Sequence, residues 1–156
     1  MRNVPIIRLF VALAGATLVL SSCSTTVFDL KVGDCLVLPD DLDLSQGFEL
    51  TTVKTVECNE PHQGEVIADQ DVSDNDFPGA ETGEYPGEEA LFEKSNDICL
   101  PAFESYVGTT FDESELDLLP LTPTQDSWDK ADDRAIVCIA INLNDKVTTT
   151  FKDSGR

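Results

Sequence analysis

The chain has 156 residues, with 10 Lys+Arg against 30 Asp+Glu, one His and five Cys, a length that holds one domain plus appendages. Arg2 and Arg8 fall in a segment that reads as a removable signal, which leaves eight cations against 30 acids and a net charge of −22. A surface of that sign repels phosphate backbones and anionic headgroups, excluding nucleic-acid binding and polybasic membrane docking. Hydrophobic content of 41% is ordinary for a globular core, so the acidity does not imply disorder.

At the N-terminus, Met1 to Arg8 carries two positive charges, and Leu9 to Leu20 is an uncharged apolar run that ends in Ser21, Ser22 and Cys23. This is a secretory signal in outline, over residues 1–22. Twelve residues at 1.5 Å each reach about 18 Å, short of the roughly 30 Å hydrocarbon core that a spanning helix must cross. The stretch Leu20-Ser21-Ser22-Cys23 resembles the lipobox of bacterial lipoproteins, in which the cysteine thiol takes a diacylglyceryl group before cleavage. Two or three acyl chains at about 0.8 kcal/mol per buried methylene make such an anchor stable. The expectation is a protein on the extracytoplasmic face of the cell membrane, held through lipid on Cys23, with residues 23–30 as a short tether.

With Cys23 assigned to lipid, Cys35, Cys58, Cys99 and Cys138 remain, an even count that reads as two disulfides in an exported domain. Three pairings are possible. Cys35 with Cys58 and Cys99 with Cys138 gives two non-crossing loops and is the pairing expected. The rival reading is zinc on Cys58 and His62, but no C-x-x-C pair accompanies them, and thiolates do not survive export well.

Strand character marks 35–38, 50–58, 65–69 and 135–143; the last is apolar on both faces and suits a central, doubly covered strand. From Glu88, after the Tyr85-Pro86-Gly87 turn, the residues Leu91, Ser95, Ile98, Cys99, Ala102 and Tyr106 share one helical face. Pro101 should kink or restart that helix, and Gly108 should stop it. Residues 70–87 and 120–133, the latter around Trp128, read as polar loops, and the 144–156 tail as an edge strand or nothing ordered. The fold expected is therefore α+β, a small antiparallel or mixed sheet of about five strands with one main helix packed on it, in a domain spanning 31–143.

His62 is the only histidine, so any mechanism that needs imidazole needs it; Glu65 is placed to orient it as general base or pH sensor. The structural reading puts His62, Glu65 and Arg134 in one polar network. Arg134, the only arginine between the signal and Arg156, suits a bidentate carboxylate pair or, functionally, a clamp on an anionic ligand. Asp69, Asp71, Asp74 and Asp76 invite a calcium reading, but counting from Asp69 the sixth and twelfth EF-hand positions are Asp74 and Ala80 instead of Gly and Glu. Trp128 either closes a small core or binds the face of a wall glycan. No G-x-S-x-G, H-E-x-x-H or phosphate-cradling loop occurs, so neither catalysis, a metal nor a cofactor is expected.

Taken in order, Val32 to Cys35 (VGDC), Val56 to Glu65 (VxC, then PHQGE), Tyr85 to Gly87, Cys99 with Phe103 and Tyr106 to Gly108, Ser127-Trp128, and Asp133-Arg134 with Cys138 resemble the septum formation family. The resemblance implies an extracytoplasmic domain from actinobacteria, anchored by lipid or one membrane helix, with a proposed link to cell division and no established enzymatic activity. It departs from the family at Asp132, where Gly tends to precede Asp-Arg. The function expected is a non-enzymatic module that binds another envelope or division protein. The alternative is a wall-precursor or glycan binder, or an enzyme, using His62, Glu65 and Arg134.

Overall fold

Strand β6 (Ala135–Ile141) organises the molecule because its side chains alternate between two apolar environments. Ile136, Cys138 and Ala140 point into one core, while Val137, Ile139 and Ile141 point into the other. The computed structural model describes residues 24–39 and 50–156. The signal segment and Cys23 lie outside the described residues.

Around β6 are β1 (Ser24–Thr26), β2 (Cys35–Val37), β3 (Thr52–Val56), β4 (Gly64–Asp71) and β5 (Asp117–Leu121), in the order β1-β3-β2-β4-β6-β5. Every neighbouring pair is antiparallel. The main helix, α1 (Glu88–Val107), covers one face, and its buried stripe of Leu91, Ser95, Cys99, Phe103 and Val107 has a strict four-residue spacing. Ile98 and Tyr106 pack beside that core, partly buried. The other face is covered by the sheet curling on itself, with Leu30, Leu36, Leu38 and Val53 meeting Val66, Leu119 and Ile139. The two disulfides are Cys35–Cys58, which ties β2 to the turn after β3, and Cys99–Cys138, which ties α1 to β6.

Three local expectations change. Residues 24–26 are not tether: they form β1, paired with β3 and fastened by a Thr25–Thr55 hydroxyl contact of 2.9 Å. Of the kink or restart expected at Pro101, the restart does not occur: α1 runs through it without a break, because it sits on the exposed side of a helix whose opposite face is held by packing and by the Cys99 disulfide. Helix α1 stops at Gly108 as expected, and the φ of 89° there is open to glycine at little cost. The presumed loop 120–133 contains the end of β5 and a second helix, α2 (Gln125–Ala131), started by a reciprocal Thr124–Ser127 cap.

The tail adds no strand beyond a single bridge between Val147 and His62, yet it is part of the fold. Phe151 is completely buried in the α1 core.

Candidate functional site

The polar residues singled out by the sequence occupy two separate places. Glu65 lies opposite Cys35 across the β2–β4 ladder and opposite Ala140 on β6, with its side chain toward α1. It is 1% exposed. Its carboxylate accepts from the Tyr106 hydroxyl at 2.6 Å, the Thr150 hydroxyl at 2.5 Å and the Phe151 backbone N–H at 2.5 Å. Burial, and then the adjoining Glu65 carboxylate, push the Tyr106 phenol well above the ordinary tyrosine range, so it stays a donor. A carboxylate so occupied has little capacity left for a substrate proton.

His62, completely buried, precedes β4. Its backbone exchanges hydrogen bonds with Val147 at 3.0 and 2.8 Å, and its ring lies 5.8 Å from that of Phe151. Nδ1 is 2.8 Å from the Glu60 carbonyl oxygen, which only accepts, so Nδ1 carries the proton. Nε2 is buried without a hydrogen-bond partner. A ring nitrogen of His62, the Cys35 sulfur and a Glu65 oxygen lie within 4.8 Å of one another. That sulfur is bonded to Cys58, so neither cysteine offers a thiolate to a metal. Gly64, between His62 and Glu65, is closely packed: a Cβ there would sit 3.3 Å from both Ile139 and Leu36, so those side chains would have to give by a few tenths of an ångström.

Arg134 does not join this network. It precedes β6, and since Glu65 pairs with Ala140, six residues of strand or about 20 Å separate them. Arg134 instead lies over the Trp128 ring, 3.7 Å from its centroid, donates to the Trp128 and Asp133 carbonyls, and meets one Asp132 oxygen at 3.2 Å. The contact with Asp132 is single, not the expected bidentate pair, because the stack and the two carbonyls fix the guanidinium plane. Trp128 is buried against Phe77 and Tyr85, and its indole N–H donates to the Gly83 carbonyl at 3.0 Å. Both faces being covered, the ring has no free surface on which a sugar could stack. Asp76 of the acidic loop is likewise engaged: it caps the turn at Ser73 and pairs with Lys94 at 2.7 Å.

The profile of the family described as septum formation matches residues 32–155, most of the chain and all of this arrangement. The chain belongs to the septum formation family. No curated protein and no solved structure matches it. The match extends through the tail, as the burial of Phe151 requires of a septum formation domain whose core is closed by its last residues. At Asp132, where the family tends to have Gly, the aspartate itself takes the left-handed conformation, with φ of 53°.

This septum formation domain carries one further feature that residue-type reasoning did not find. An open groove of about 1130 Å³ runs along edge strand β5, between the start of α1 and the segment joining β1 to β2. Its apolar walls include Phe28, Phe92, Leu118 and Leu121, and its acidic rim Asp69, Asp71, Asp133, Glu88 and Glu89. The sequence signal was Asp69 and Asp71, two residues apart on a strand and therefore on one face. Among the described residues no helix is long and apolar enough to cross a membrane.

Proposed function

We propose that the protein is a lipid-anchored component of the extracytoplasmic face of the membrane, joined through Cys23, that acts in septum formation by binding another envelope or division protein. Family membership supports a role in septum formation. The observation that carries the non-enzymatic part is the state of the only imidazole and its neighbouring carboxylate. His62 and Glu65 are both buried, and Glu65 is occupied by Tyr106 of α1 and by Thr150 and Phe151 of the tail. A catalytic pair opens into a cleft; this one is sealed beneath Phe151. Two disulfides in a domain of this size suit an oxidising compartment. Since β1 starts at Ser24, a lipid on Cys23 would hold the sheet edge close to the bilayer, so the partner is sought at the membrane surface.

The test is in-cell cross-linking of the full chain in dividing cells, with mass spectrometry of the N-terminal peptide and with His62→Ala and Arg134→Ala variants verified as folded. Acylated Cys23 and one envelope partner retained by all three proteins are expected. An unmodified Cys23 overturns the anchor. No partner for the wild type, together with lost function in folded variants, transfers the role to a small-molecule or glycan site.

A further inference from the structure

The groove along β5 combines features that no structural duty in the fold explains. Phe28 and Phe92, 63% and 58% exposed, stand at its sides as large apolar groups in water. Five carboxylates line it, and no Lys or Arg side chain does so among the described residues. Part of that acidity serves the fold: Glu88 and Glu89 lie in the first turn of α1, and Asp133 accepts from the Ser127 hydroxyl and the Ala135 N–H. Asp69 and Asp71 have no such duty and make no salt bridge with any described residue. Burial, and after it the neighbouring Asp71 and Asp133 carboxylates, push the Asp69 carboxyl upward. Elsewhere the protein does neutralise its acids, as in the pairs Lys94–Asp76 and Arg156–Glu115.

The size of the groove decides between ligand classes. At about 1130 Å³ it exceeds the roughly 300–1,000 Å³ typical of small-molecule pockets, and it is open along its length. The acidic rim rejects nucleic acid and anionic lipid. Pro120, in the middle of β5, has no N–H to offer an added strand, so recognition rests on side chains more than on a continued ladder.

We infer that the β5 groove is the docking site for a cationic, apolar peptide segment of a protein partner, whose Lys or Arg side chains meet Asp69 and Asp71 while its apolar residues pack on Phe92, Leu118 and Leu121. The inference rests on the binding role proposed above and names the surface and the partner's chemistry.

The test uses a fluorescent alternating Lys/Leu dodecapeptide as probe, with Glu/Leu and Lys/Ser counterparts, and follows anisotropy on the detergent-solubilised full chain. Asp69→Asn with Asp71→Asn is expected to weaken Lys/Leu binding about tenfold and to flatten its salt dependence, whereas Phe92→Ser should weaken it several-fold and leave the steep salt dependence of the wild type. Glu57→Gln with Glu104→Gln, matched in net charge and remote from the groove, should leave binding within about twofold. Equal losses in the two double variants, or Lys/Ser binding as tightly as Lys/Leu, would reduce the effect to bulk charge and overturn the inference. In cells, a photo-cross-linker at Phe92 should capture the partner through a Lys/Arg-rich peptide, and one at Leu100 should not. A partner retained undiminished by the Asp69/Asp71 variant removes the groove but leaves the binding role; no partner for the wild type removes the binding role itself.

Discussion

Replacing Glu65 tests whether the carboxylate is the clasp of the fold. In Glu65→Ala the Thr150 hydroxyl, on an exposed residue, turns to water, and the partly buried Tyr106 hydroxyl finds partial hydration. The Phe151 N–H has no such escape, since it is buried beneath its own completely buried ring. An orphaned buried donor costs about 1–3 kcal/mol, and the truncated side chain leaves a cavity worth roughly another 1–2 kcal/mol. The expected loss is about 3–4 kcal/mol, a large fraction of the stability of a domain this size. Glu65→Gln keeps an acceptor for Phe151 and offers its amide to the two hydroxyl oxygens, so it should lose only the charge assistance, about 1–1.5 kcal/mol. Urea unfolding supplies both numbers, and amide exchange at Phe151 reports the tail directly. Equal losses in the two variants, or an alanine variant within about 1 kcal/mol of wild type, would refute the clasp.

Removing the α1–β6 disulfide as Cys99→Ala with Cys138→Ala should cost about 4 kcal/mol by loop-closure reasoning, and removing Cys35–Cys58 about 3.5 kcal/mol; the sequence separations are 39 and 23. Chemical denaturation gives the comparison, and the reverse order would point to native-state contacts in place of loop entropy. Asp132→Gly should raise stability by about 0.5–1 kcal/mol, since it relieves a left-handed aspartate at the expense of one exposed contact with Arg134; a lower melting temperature would show that contact to outweigh the strain. The Asp76 carboxyl is held down to about 2 by the Lys94 ammonium and by Ser73. Its contribution is therefore present above the unfolded aspartate value of about 3.9 and is lost as pH falls toward 2. After allowing for solvent exposure it is worth about 1 kcal/mol, and Lys94→Met should flatten that part of the acid-unfolding profile.

What could be read from the sequence was what a single physical signal dominates. The unbroken apolar run of β6 declared a strand covered on both sides, and the helical spacing from Leu91 to Tyr106, with a glycine stop, declared α1. The even cysteine count points to two disulfides but leaves three pairings open to the sequence, and the structure has the non-crossing one that was expected. Strands β1 and β5 were hidden because each lacks a pattern of its own: Ser24–Thr26 is polar and gains its conformation from β3, and Asp117–Leu121 contains a proline that only an edge strand tolerates. Helix α2 begins with a capping box completed by Ser127 where Glu or Gln is the usual signature. Grouping His62, Glu65 and Arg134 followed from their scarcity, which carries no distance; the β4–β6 register does, and puts Arg134 at the far end. The groove arises from curling of the sheet, a property of the assembled strands that no local window contains.

The tail gives the protein a particular clock. Glu65 and Phe151 are separated by 86 positions, and His62 meets Val147, so Glu65 and the His62 backbone are left without these partners until residues 147–151 arrive. A growing chain that has delivered every strand still lacks the Phe151 ring that fills the α1 core and the N–H that answers Glu65. Completion of the fold is thus coupled to the arrival of residues 147–151, and a chain cut before Phe151 would lack both the ring that fills the α1 core and the N–H that answers Glu65.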